Sequence, residues 1–219
     1  MVGQEYVALV PVKSPAIGKS RLVGLPDGLR RGLATAFALD TVSAVLATPG
    51  VAAVLAVTDD VAFSRQLGAL GSASVPDGAD GDLNACLRLA AAEAGRRWPS
   101  LMPVAVCADL PALRSADLRS ALDALPRDTA SFVADSSGTG TTMYAAPGSS
   151  FEPRFGPASS AAHLRAGALA VTGDLTTLRQ DVDDLDDLRR VLELGVGPHT
   201  GKLAPEMPSG WAPVTGDPP

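Results

Sequence analysis

YVALVPVKSPAIGKSRL, residues 6 to 22, decides the fold: an apolar run of strand length, YVALVPV, empties at once into a loop carrying Lys13, Lys19 and Arg21 among Pro15 and Gly18. A short continuous apolar run bounded by turn residues reads as a buried strand, the kind a parallel sheet uses. The chain then repeats the pattern. Pro26-Asp27 opens a helix to about Thr48, which Pro49-Gly50 closes. VAAVLAVTDD is a second strand stopping at Asp59-Asp60, followed by a short helix from Val61 to Leu70 and a weaker strand in ASVPDG. Asp82 to Arg97 is an Ala- and Leu-rich helix, and MPVAVCADLPAL is a strand that again ends in an acid, Asp109.

This β-α-β-α-β-α-β order predicts an α/β fold: a single doubly wound, mostly parallel sheet with helices on both faces and ligands at the carboxyl ends of its strands. After a helix near Ser115 to Leu125 the rhythm changes. SFVAD and TTMYAA, separated by the Gly-bearing SSGTG, read as a small antiparallel insertion. FGPASSAAHLRAG offers a helix with Ser159 or Ser160 as N-cap, and a strand leads through LRQDVDD into a last helix, Leu185 to Leu194. Beyond it Gly and Pro dominate, so the domain is placed at residues 1–197 and residues 198–219 are read as a disordered tail.

Composition narrows the function classes. Of 219 residues 46% are apolar but only 4% aromatic, so the core must be built mainly of Ala, Val and Leu. A net charge of −6 argues against a nucleic-acid backbone as partner. Cys86 and Cys107 have no CxxC spacing, which argues against a disulfide framework or a zinc cluster. No apolar run approaches about 18 residues and no signal-peptide pattern opens the chain. A cytoplasmic protein without membrane contact is expected.

The loop ends in Gly-Lys-Ser, but the P-loop pattern fails twice: Lys13 stands where its first glycine belongs, and Pro26 cuts the helix that should start at Gly18. A looser anion clamp remains, in which Lys13, Lys19 and Arg21 surround a polyphosphate. The plain alternative is a solvated surface. Location favours the clamp: two of the chain's three lysines stand at the carboxyl edge of the first strand.

Opposite the cations stand acids. Asp59 follows VLAVT, Asp109 follows VAVCA, and Asp181 and Asp183 alternate in LRQDVDD. Carboxylates gathered about 4 Å apart repel by roughly 4 kcal/mol at an effective dielectric near 20. Such a cluster calls for a cation, and Mg²⁺ suits oxygen ligands and phosphate partners. Helix capping is the competing role for Asp59, Asp60 and Asp117, and for Asp183 or Asp184. A cationic loop facing an acidic metal site suits attack by an oxyanion on a nucleotide α-phosphate with pyrophosphate leaving. His163 and His199 belong to no Ser-His-Asp set and are not needed for that chemistry.

Taken together, PVK with GKSRL, VTDD, LNACL, ADLPAL, FVADSSGTGTT, PRFGPASSAAHLRAGA and DVDDLDDL resemble the guanylyltransferase family of coenzyme F-420 biosynthesis, over about residues 6 to 197. FVADSSGTGTT followed by PRFGPASS is the most specific part; Ala108 departs from a glycine common in relatives. The resemblance implies a nucleotide-diphospho-sugar transferase-like nucleotidyltransferase fold and transfer of GMP from GTP to phosphoenolpyruvate, with 2-phospho-L-lactate or 3-phosphoglycerate as alternative acceptors. A sugar-phosphate or molybdenum-cofactor nucleotidyltransferase and a non-catalytic nucleotide-binding module are the other readings. It further implies Thr141, Gly156 and Ser159 as the acceptor site, Asp109, Asp181 and Asp183 as Mg²⁺ ligands, and Asn84 near the guanine. Lys13, Lys19, Arg21, Thr58 and Asp59 are expected on the nucleotide, with Lys13, Lys19, Arg21 and Asp109 in catalysis. Hand-off of product to the next transferase of the pathway and homodimerisation stand as open expectations.

Overall fold

The computed structural model describes residues 5–12, 22 and 24–207; Lys13, Lys19, Arg21 and residues 208–219 lie outside the described residues. The first half alternates as its apolar runs predict: β1 (Tyr6–Pro11), α1 (Asp27–Leu46), β2 (Val51–Val57), α2 (Val61–Leu70), β3 (Ala73–Val75), α3 (Leu83–Arg97) and β4 (Met102–Val106). The second half contains α4 (Ser115–Asp123), β5 (Ser131–Ala134), β6 (Thr141–Ala145), α5 (Ser159–Arg165), β7 (Leu169–Ala170), α6 (Thr176–Arg179), α7 (Leu185–Leu194) and α8 (Pro198–Gly201). All seven strands join one sheet in the order β3-β2-β1-β4-β6-β5-β7. β1 pairs parallel with β2 and β4, β2 with β3, and β5 with β7. Only β6 runs antiparallel, to both β4 and β5, so the expected insertion is woven into the main sheet rather than set apart from it.

Strand alternation splits the core in two. Ala8, Val10, Val54, Ala56, Val104 and Val106 face Ala38, Val42 and Val45 of α1. Val7, Leu9, Leu55 and Val57 face Leu87, Ala90, Ala91 and Ala94 of α3. Small side chains on the helices let them lie close to the sheet, and each fully buried Val or Leu contributes about 1.5–3 kcal/mol. A third cluster joins Leu29, Leu33 and Phe37 of α1 to Leu188, Val191 and Leu192 of α7. Among the described residues no helix is long and apolar enough to cross a membrane.

Three local expectations are corrected. Residues 198–207 are not a loose tail: α8 packs on α1, where the buried Asp40 carboxylate accepts the N–H groups of His199 (2.9 Å) and Thr200 (2.8 Å) and Met207 closes the third cluster. LRQDVDD is not a strand. Its start is the helical turn α6, held by the Asp117 carboxylate, which accepts the N–H (2.8 Å) and hydroxyl (2.7 Å) of Thr177. The N-cap of α5 is Ala158 with a left-handed backbone (φ 52°), neither serine, because Ser159 already has helical geometry as the first residue.

Candidate active site

The carboxyl end of β4 carries Asp109. Its peptide neighbours are pinned by α1: the Thr41 hydroxyl accepts the Leu110 N–H (3.1 Å) and lies 3.2 Å from the Ala108 carbonyl oxygen. Across from it, the Val182 N–H donates to the Asp109 carbonyl (3.1 Å), and the Val182 side chain is fully buried in the third cluster. In an extended segment neighbours of an inward residue point the other way, so Asp181 and Asp183 turn toward Asp109. One oxygen from each of the three carboxylates lies within 4.8 Å of the others. Asp184 caps α7 in a capping box with Asp187, so the capping role considered for Asp183 falls to its neighbour.

Burial, then the charges of Asp109, Asp183 and Asp135, push the Asp181 carboxyl up to about 7. That is the electrostatic signature of acids brought together beyond what water alone compensates. Three hard oxygen donors at this spacing fit Mg²⁺ or a similar cation, and the soft ligands that would favour other metals are absent from the set.

Thr58 and Asp59, expected on the nucleotide, follow β2 at its carboxyl end. The Thr58 N–H donates to the Val75 carbonyl (3.0 Å), and an Asp59 carboxylate oxygen accepts the Asp77 N–H (2.9 Å). Helix capping here belongs to Asp60, which accepts the Phe63 N–H. Beside them a cavity opens between the ends of β1 and β2 and the start of α3, lined by Pro11, Val12, Val57, Asp77, Gly81, Leu83 and Cys86. Burial, then the Asp77 carboxylate, push the Cys86 thiol up to about 12, so it stays protonated and is no nucleophile. Asn84 does not line this cavity. Its carboxamide is engaged in the opposite direction, accepting the Phe155 N–H (2.7 Å) and donating to the Phe155 carbonyl (2.9 Å).

The FVADSSGTGTT motif builds the facing loop. The Asp135 carboxylate accepts the N–H groups of Thr139 (3.0 Å) and Gly140 (2.9 Å) and the Ser137 hydroxyl (2.9 Å). A Cβ at position 140 would overlap that carboxylate, which is why glycine stands there. The Ser136 N–H donates to the Arg179 carbonyl (2.8 Å), so this turn abuts the segment that carries Asp181.

Thr141, Gly156 and Ser159 converge beside it. Thr141 and Ser159 are nearly buried, and Gly156 has a φ of +135°, which favours glycine. The first amides of α5 are already engaged: the Ser159 N–H donates to the Gly156 carbonyl (3.2 Å) and the Ser160 N–H to that of Thr139 (3.1 Å).

A residue that sequence reasoning set aside lies at the centre of this half. His163 is 1% exposed, with Nδ1 3.1 Å from the Thr141 hydroxyl and Nε2 accepting the Arg154 N–H (2.9 Å). Its ring stacks on Phe132 and Tyr144 and meets Phe155 edge-on. Burial first, with Arg154 adding to it, lowers its pKa to about 4, so the ring is neutral near pH 7. The clue in the sequence was the crowding of scarce aromatics into two motifs around one histidine.

A mostly parallel sheet with three carboxylates gathered beside its carboxyl edge is the frame of a nucleotidyltransferase. The fold is shared with a nucleotide-diphospho-sugar transferase from Desulfovibrio desulfuricans G20 (TM-score 0.66, 21% identity, 87% of each chain covered) and a nucleotidyl transferase from Methanothermobacter (TM-score 0.53, 16% identity, 86% of this chain and 96% of that one). No protein-family model matches the chain. Sequence relatives are far nearer. Phosphoenolpyruvate guanylyltransferases are 48% identical in Salinispora arenicola (91% of this chain, 94% of the relative), 48% in Thermomonospora curvata (92% and 89%) and 46% in Streptomyces coelicolor (93% and 97%). The chain belongs to the phosphoenolpyruvate guanylyltransferase family.

Proposed function

We propose that this enzyme transfers GMP from GTP to phosphoenolpyruvate, giving enolpyruvyl-2-diphospho-5'-guanosine and pyrophosphate. The observation that carries the reading is the convergence of Asp109, Asp181 and Asp183 at the strand ends, next to the turn that leads into Thr141. A phosphate oxygen of the acceptor attacks the α-phosphorus of GTP. The bond from that phosphorus to the β-bridging oxygen breaks, and its electron pair leaves with pyrophosphate. Asp109, Asp181 and Asp183 would hold Mg²⁺, which when bound supplies charge neutralisation for the phosphoryl oxygens.

The chain's own residues do the rest. Lys13, Lys19 and Arg21 are assigned to the leaving pyrophosphate, where fixed cations lower the cost of its developing charge. Thr58 and Asp59 border the nucleotide, and the cavity beside Asp77 is the place for the base. Thr141, Gly156 and Ser159 are assigned to the acceptor, whose carboxylate and phosphate call for polar partners, as the family resemblance implies. The product's destination is coenzyme F-420 biosynthesis in the cytoplasm, as the family resemblance implies.

The test is pyrophosphate release by the purified protein with GTP and Mg²⁺, comparing phosphoenolpyruvate, 2-phospho-L-lactate and 3-phosphoglycerate. Release with phosphoenolpyruvate at the highest kcat/KM supports the assignment. Release with a sugar phosphate and none with these three acids would overturn it.

A further inference from the structure

The segment Arg154-Phe155-Gly156 has no regular secondary structure, yet three of its backbone polar groups are held by two side chains, one nine residues along the chain and the other 71 residues earlier. The His163 Nε2 takes the Arg154 N–H, and the Asn84 carboxamide takes both the N–H and the carbonyl of Phe155. Because a backbone N–H can only donate, Nε2 is the acceptor and the ring proton sits on Nδ1. That proton faces the Thr141 oxygen at 3.1 Å, so the Thr141 hydroxyl accepts from His163 and its own hydrogen is directed elsewhere. Stacking on Phe132 and Tyr144, which are cross-strand partners of β5 and β6, fixes the plane of the imidazole against the sheet. The loop beyond is not relaxed: Ala158 sits in the left-handed region at φ 52°, at a cost of about 1–2 kcal/mol, so its shape is imposed by its anchors.

We propose that His163 and Asn84 are positioning residues of the acceptor half-site: together they hold residues 154–156 and the Thr141 hydroxyl in one preformed arrangement, with the Thr141 hydrogen available as a donor to the small phosphorylated acid. The inference rests on the functional reading above, and it assigns Asn84 to the acceptor side rather than to the base. Neither residue touches the reacting atoms. Losing one such anchor lets the loop sample other shapes, and only the competent fraction binds acid.

The test uses H163F, which keeps an aromatic ring but has no nitrogen, H163Q, whose amide can both donate and accept, and N84A. Each is measured by thermal unfolding, by initial rates of pyrophosphate release with GTP and phosphoenolpyruvate, and by calorimetric titration with phosphoenolpyruvate alone. For H163F and N84A, each of which removes two hydrogen bonds, the expected result is a rise of about tenfold or more in KM and Kd for phosphoenolpyruvate, with KM for GTP unchanged within twofold. H163Q should recover part of the loss. If H163F unfolds, N84A carries the test on its own, since Asn84 is only part-buried at the start of α3. Equal shifts in both KM values, or unchanged affinity for phosphoenolpyruvate in a folded variant, would overturn the positioning role. A wild type that binds phosphoenolpyruvate but releases no pyrophosphate would sink the transferase reading while the titrations still decide the positioning role. A wild type that binds none of the acids would sink both.

Discussion

Asp181→Asn should make the metal-free protein more stable while destroying its response to metal. The Asp181 carboxyl is raised from 3.8 to about 7 by burial and by the neighbouring acids. A folded value above the unfolded one means that ionisation opposes folding: the cost is absent below about pH 4, grows as pH climbs, and is complete above about pH 7. The full gap corresponds to roughly 4 kcal/mol at 1.36 kcal/mol per pH unit. Asp181 is only partly buried, and solvent screening reduces this to about 2 kcal/mol. For a chain of this size that is a rise in Tm of about 4–8 °C. The assay is thermal unfolding of wild type and D181N in EDTA at pH 8 and pH 5, repeated with excess Mg²⁺. The variant should melt higher than wild type at pH 8 in EDTA, by a smaller margin at pH 5, and gain little from Mg²⁺ that stabilises the wild type. A variant that melts at or below wild type at pH 8 without metal would refute the reasoning, because Asp181 would then be a structural acid with partners that compensate its charge.

Other substitutions probe separate parts of the molecule. Asp109→Asn removes a charge that opposes the ionised Asp181, so it should unfold in EDTA at or above the wild-type temperature and lower kcat to below about a hundredth of wild type; near-normal turnover would remove Asp109 from the reaction. Gly140→Ala forces a methyl group into the Asp135 carboxylate, and should raise KM for phosphoenolpyruvate and cost about 1–3 kcal/mol of stability in denaturant titrations. Asp40→Ala leaves the His199 and Thr200 N–H groups without their acceptor. It should cost about 2–3 kcal/mol and speed amide exchange across α8.

The alternating half of the fold was readable because each strand announces itself twice, by an apolar run and by the polar or turn residues that end it. YVALVPV, VAAVLAV and MPVAV all stop in this way, and β1, β2 and β4 lie side by side as their burial requires. Asp109 was readable for the same reason, since a parallel sheet collects strand ends on one edge, whereas Asp181 and Asp183 reach it from a segment that is not a strand. LRQDVDD misled because its alternation imitates a strand: Leu178, Gln180 and Val182 are buried at alternate positions, yet Asp117, 60 residues earlier, starts a helical turn there instead. The Gly- and Pro-rich stretch after Leu194 reads as disorder by composition, yet Asp40 binds it from 159 and 160 residues away. His163 was set aside, and Asn84 was expected near the guanine, for a related reason. Their partners are backbone groups, whose identity no side-chain pattern records, and Asn84 reaches across 71 residues to find Phe155.

The most direct measurement of the central claim is ³¹P NMR of the protein turning over GTP and phosphoenolpyruvate with Mg²⁺. The account predicts loss of the phosphoenolpyruvate monophosphate signal, appearance of two coupled resonances from an unsymmetrical diphosphate, and one equivalent of inorganic pyrophosphate. Release of orthophosphate with accumulation of GDP, and an unchanged phosphoenolpyruvate signal, would contradict it.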